Sequence, residues 1–125
     1  FGEALGIAFQ ITDDVLDYVG DEGIIGKPIG NDAREGTVTL PLIRAMQEAA
    51  PSDAKEVHQL LNEDWNEDAR DHIVQFTQSH GGIEYARAKA REFGDNAIGH
   101  LEHLADSPSK QSLIQMVGYA IDRDR

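Results

Sequence analysis

Cysteine is missing from all 125 residues, which removes disulfides, zinc–thiolate sites and cysteine nucleophiles from consideration and fits a reducing compartment. Positive charge is scarce as well. Eleven Lys and Arg stand against 23 Asp and Glu, and the formal net charge of −12 would repel a phosphate backbone, so no nucleic-acid partner is expected. An anionic ligand would need a cationic bridge. No apolar run approaches bilayer length and no signal-peptide pattern is present, so no transmembrane segment is expected and a cytoplasmic location is. Convincing strand alternation, internal repeats and low-complexity tracts are also lacking.

What the sequence does have is helical periodicity, and the expected fold class is all-α, one domain with six helices of unequal length. Residues 1 to about 20 read as the first helix, with Phe1, Leu5, Ala8, Thr12, Val15, Leu16 and Val19 on one face. Five glycines and Pro28 between residues 20 and 38 predict a loop without a stable helix. Thr39 reads as an N-cap, with Leu40-Pro41 opening a helix to about Ala50. Ser52 reads as the cap of a helix over about 53–62, and another covers about 67–79, stopped by Gly81-Gly82. A long helix from Ile83 to about Leu104 and a last one from Ser107-Pro108 to about Arg123 complete the set. Phe1 falls mid-pattern with no capping residue ahead of it, which predicts a piece of a longer protein, cut inside or just before a helix.

The chemistry concentrates in Phe9-Gln10-Ile11-Thr12-Asp13-Asp14-Val15-Leu16-Asp17. At about 100° per residue, Gln10, Asp13, Asp14 and Asp17 share the face opposite the apolar one, within roughly 100° of arc. Like charges at one-turn spacing are unfavourable. Gly2 and Gly6, on the same side, each cost about 1 kcal/mol relative to alanine. Both features oppose stability, so a bound ligand or metal is the natural compensation. Oxygen-only donors favour hard cations, and a helical face of aspartates without a wrapped loop suits Mg²⁺ better than Ca²⁺. Gln10 can offer a neutral oxygen dipole to a developing cation. Lys27, in the glycine-rich loop, can swing over a phosphate. The combination describes a site for a metal-bridged diphosphate, provided the three acids line one open wall.

These residues carry a resemblance. The run Phe1–Tyr18 resembles the second aspartate-rich motif of the trans-isoprenyl diphosphate synthases, and Gly26–Ile43 resembles the segment that follows it. Gly81–Arg87 and the ending Tyr119–Arg125 are also similar, so the resemblance spans nearly the whole chain. It is greatest to the bacterial medium- and long-chain members, the octaprenyl and heptaprenyl diphosphate synthases.

The resemblance implies that residues 1–125 are the C-terminal portion of one polyprenyl synthase domain whose N-terminal half is absent. It implies a prenyltransferase of isoprenoid biosynthesis that uses Mg²⁺ to condense an allylic diphosphate with isopentenyl diphosphate into an all-trans product. Asp13 matches the aspartate that binds the metal directly. Asp14 and Asp17 match aspartates that act nearby, partly through metal-bound water, and Asp32 matches an outer acid of the metal site. Gln10 matches the glutamine that stabilises the allylic cation, Phe9 an aromatic beside the isopentenyl pocket, and Lys27 a lysine on the allylic diphosphate. Arg123 and Arg125 match basic residues near the homoallylic diphosphate. Thr37 stands where many members carry a second lysine.

No second aspartate-rich cluster is present. Asp64, Asp68 and Asp71 come nearest and read as a solvated helix start. The chain alone is therefore expected to be inactive, and a homo-oligomer is expected because uncovered apolar faces drive association. The competing readings are a non-catalytic partner subunit and an acidic helical interaction module. His100 and His103, one turn apart, lack a third ligand. Tyr85, Phe93 and Ala97 read as core, and Trp65 as a plug between helices.

Overall fold

The computed structural model describes residues 1–20 and 29–123, and among them there are seven helices and no strand. They are α1 (Gly2–Val19), α2 (Asn31–Arg34), α3 (Leu40–Glu48), α4 (Pro51–Asn62), α5 (Glu67–Ser79), α6 (Gly82–Gly99) and α7 (Pro108–Asp122). The all-α expectation holds, and six of the seven correspond to the six helices anticipated. No helix among the described residues is long and apolar enough to cross a membrane.

The architecture centres on α1 lying along α6, with α3 and α7 packed against the same pair. Small residues make this close packing possible. The buried face of α6 carries Gly82, Ala86, Ala90, Gly94 and Ala97 at helical spacing, and α1 brings Ala4 and Ala8. The main core gathers Ile11, Val15 and Tyr18 of α1 with Leu42, Val57, Ile73, Phe76 and Ile83. A smaller cluster of Ala4, Ala97 and Val117 joins α1, α6 and α7. The tightest approach is at Gly82, where a Cβ would overlap the backbone carbonyl oxygen of Pro41. Helices α3 and α6 can touch there only because that side chain is a hydrogen.

The differences from the sequence-based expectation have local causes. The buried arc of α1 is rotated to include Ala4, Ile11 and Tyr18, because α6 and α3 cover that flank, while Val19 is exposed. The expected loop contains α2, started by Gly30 at φ 78° and followed by Gly36 at φ 76°. Thr39 occupies the N-cap position of α3, but its side chain makes no capping bond. Helix α4 begins at Pro51 rather than after Ser52, since proline's fixed φ suits a first turn. Helix α6 ends at Gly99, not Leu104, where i→i+3 bonds such as Leu101 N–H to Ile98 C=O tighten the chain into turns. Ser107 caps α7 as expected, accepting from Lys110 N–H at 3.1 Å. Of the aromatic positions read as core, Phe93 packs against it only partly, and Tyr85 is half-exposed beneath the Arg44 guanidinium. Trp65 packs partly buried against the main core.

Candidate functional site

Asp13, Asp14 and Asp17 lie about one turn apart on α1, but the three do not play equal parts. Asp13 is partly exposed, and its Oδ1 accepts from Arg123 Nη2 at 3.3 Å. The same guanidinium lies over the Phe9 ring, 4.1 Å from its centroid. Phe9 and Asp13 are one turn apart, so the end of α7 is pinned to this flank of α1 by one arginine.

Asp14 is half-buried and accepts from Gln10 Nε2 at 2.9 Å. Because a carboxylate only accepts, this bond turns the Gln10 nitrogen toward Asp14 and the amide oxygen away. Burial pushes the Asp14 carboxyl above its ordinary value. The Gln10 bond partly offsets this, and the charges of Asp32, Asp13 and Asp17 add to it. The sum is unmet negative potential on the open side of the helix, which a cation would relieve.

Asp17 faces inward and is 1% exposed. Its Oδ1 accepts the backbone N–H of Asn31 at 3.2 Å, and its Oδ2 accepts that of Asp32 at 3.1 Å. Its own carbonyl oxygen accepts from Gly30 N–H at 2.7 Å. A helix leaves its first N–H groups without internal partners, and the N-terminus favours negative charge. Asp17 therefore satisfies the start of α2 and fixes Asp32 relative to α1. The three acids do not form one open wall, and no three carboxylate or imidazole side chains converge on a common point among the described residues.

Asp32 is half-exposed, and its carbonyl oxygen accepts from Thr37 N–H at 2.8 Å. Its charge acts on both Asp14 and Tyr18, which places it beside the aspartate face. Lys27 and Arg125 lie outside the described residues.

Tyr18 stood out in the sequence only as part of the motif. Its phenol is fully buried, and burial first, then the adjacent Asp17 charge, holds it well above the usual tyrosine range. The Thr39 hydroxyl is near enough to ease that shift, yet no well-formed hydrogen bond closes, and both oxygens lack a partner. Gln78 Nε2 donates to the Tyr18 carbonyl at 2.9 Å and ties α5 to the end of α1. The burial of Tyr18 was not anticipated from helix periodicity.

The polyprenyl synthetase family model matches residues 1–77, well over half of the chain. The chain belongs to the polyprenyl synthetase family. It is 35% identical over 125 residues to octaprenyl diphosphate synthase from Escherichia coli (strain K12), covering 100% of this chain and 39% of that protein. It is 32% identical over 124 residues to a short chain isoprenyl diphosphate synthase from Methanothermobacter thermautotrophicus, covering 99% and 38%. Among solved structures, a polyprenyl synthase from Caulobacter crescentus CB15 complexed with calcium and isoprenyl diphosphate superposes with a TM-score of 0.91 at 28% identity, over 98% of this chain and 38% of that one. A geranylgeranyl pyrophosphate synthase from Corynebacterium glutamicum complexed with isoprenyl diphosphate and magnesium gives 0.86 at 27% identity, over 98% and 35%. The chain thus spans under two fifths of the length of these curated relatives and corresponds to part of a prenyl diphosphate synthase.

Proposed function

We propose that this polyprenyl synthetase chain supplies the second aspartate-rich half of a trans-prenyl diphosphate synthase site, where its aspartates would hold Mg²⁺ for an allylic diphosphate. The observation that carries the reading is the division of labour on α1. Asp13 and Asp14 stay accessible beside a region of unmet negative potential, while Asp17 is spent on holding Asp32 in place. Two carboxylates without a protein cage suit Mg²⁺, which keeps waters and takes its remaining ligands from phosphate oxygens.

In this reading Asp13 and Asp14 hold the metal, and Asp32 with Asp17 behind it orients the outer layer. When bound, Mg²⁺ supplies charge neutralisation for the departing diphosphate, so that the allylic C–O bond can ionise. The Gln10 amide oxygen, turned away from Asp14, offers a dipole to the allylic cation. Phe9 flanks the isopentenyl diphosphate, whose double bond attacks the cation. The proton then lost goes to the pyrophosphate, so no protein base is assigned. Lys27 contacts the allylic diphosphate, and Arg123 and Arg125 the homoallylic one. For Arg123 this requires release from Asp13.

Residues 1–125 form the C-terminal portion of the catalytic domain and do not turn over substrate alone. The apolar side chains left exposed, among them Ile43, Leu104, Met116 and Tyr119 at 74%, support association into a homo-oligomer. A cytoplasmic location fits the absence of cysteine. Calorimetry with Mg²⁺ and a non-hydrolysable allylic diphosphate analogue tests the reading. Metal-dependent binding that is lost in Asp13→Ala is expected, and analogue binding indifferent to both Mg²⁺ and Asp13 would refute it.

A further inference from the structure

A second feature adjoins the Phe9–Asp13 flank of α1, in a hollow of about 80 Å³ between α1, α6 and α7. Thr12, Val15, Leu16 and Ala90 line it together with three arginines, Arg87 and Arg91 from α6 and Arg123 from the end of α7. That is a concentration of cations in a chain with only 11 Lys and Arg and a net charge of −12.

Among the described residues some cations pair with a nearby carboxylate and others, Arg34 and Lys55 among them, do not. Arg44 pairs with Glu48, Lys89 with Glu92 and Lys110 with Asp106. Arg87 and Arg91 have no ion pair among the described residues, although they stand one turn apart, where like charges repel. Arg123 adds an independent sign. Its Nε is buried without a hydrogen-bond partner, and a buried N–H without an acceptor is costly. Asp13 engages only the Nη2 end of that guanidinium. The Asp122 carboxylate stands at the rim but is exposed, so water screens it. A small oxyanion seated here would give Nε an acceptor and neutralise the Arg87–Arg91 pair.

We propose that this hollow binds a phosphate-type oxyanion without metal, with Arg87 and Arg91 as its principal ligands and Arg123 shared between the hollow and Asp13. The site needs no metal and adjoins the aspartate face, with which it shares Arg123. An anion there would also draw Arg123 from Asp13, leaving that carboxylate freer for a cation.

The test is titration of the chain with inorganic phosphate and with phenyl phosphate in EDTA, followed by calorimetry or phosphorus NMR. The two probes distinguish a free anion from the phosphorylated end of a larger ligand. Saturable binding of either one is expected. It should weaken at least tenfold in the double variant Arg87→Gln/Arg91→Gln, and Arg91→Glu should weaken it further. Both positions are exposed, and unchanged helix circular dichroism confirms that the variants fold. Asp13→Asn should retain the metal-free binding while losing Mg²⁺-dependent diphosphate binding, so either site can fail without the other. Absence of saturable binding of both probes, affinity unaffected by the arginine changes, or loss of metal-free binding in Asp13→Asn would overturn the proposal.

Discussion

Replacing Asp17 by asparagine separates a carboxylate that belongs to the fold from one that serves only a metal. Asp17 uses both oxygens on the backbone amides of Asn31 and Asp32. Hydrogen bonds to a charged acceptor are worth about 1.5–3 kcal/mol each. Asparagine keeps one acceptor oxygen and turns its NH₂ toward the second amide, so one bond is lost and one buried N–H is orphaned. The opposing effect is relief of repulsion from Asp13 and Asp14, which at one-turn spacing is worth about 0.2–0.5 kcal/mol per pair. The lost bond wins, and Asp17→Asn should destabilise the metal-free chain by about 1–3 kcal/mol. Urea unfolding followed by helix circular dichroism measures this, and hydrogen exchange at Asn31 and Asp32 localises it. If Asp17 were purely a metal ligand, the substitution would remove like-charge crowding and raise stability. Stability equal to or above wild type, with unchanged protection of the two amides, would therefore refute the clamp.

Asp14→Asn should behave in the opposite sense. The Asp14 carboxyl is held above its ordinary value of 3.8, so folding takes up a proton between 3.8 and the raised value. Stability thus falls as pH rises through that window, and above it the unfavourable contribution is fully present. The asparagine variant, which can still accept from Gln10, should be more stable than wild type at neutral pH, with the gap closing as pH drops below 3.8. A gap that widens on acidification would contradict this. Gly82→Ala should destabilise by about 2–3 kcal/mol despite alanine's better helix propensity, because the added methyl group overpacks the contact with the Pro41 carbonyl. A rise in thermal midpoint for this variant would mean that α3 and α6 do not meet there.

Periodicity and punctuation in the sequence were enough to establish six helices, their approximate limits and the presence of the acids on α1. These are local properties. Glycines and prolines break helices wherever they occur, and residues one turn apart share a face in any helix. The family resemblance was legible for the same reason, since the motif residues are contiguous. The rank order among the aspartates was not legible. On an isolated helix Asp13, Asp14 and Asp17 are equivalent members of one arc, and what distinguishes them is where α2 and α7 arrive. The N-terminus of α2 takes Asp17 out of solvent, and Arg123, over a hundred residues away in sequence, takes one oxygen of Asp13. The same holds for the three arginines. Arg87 and Arg91 could be placed on one face by counting, but only the packing of α7 brings Arg123 to join them. Sequence thus set which groups each helix carries. The tertiary structure decided which are satisfied by backbone amides, which are paired and which remain open to a ligand, because burial and hydrogen bonding depend on neighbours that local periodicity does not encode.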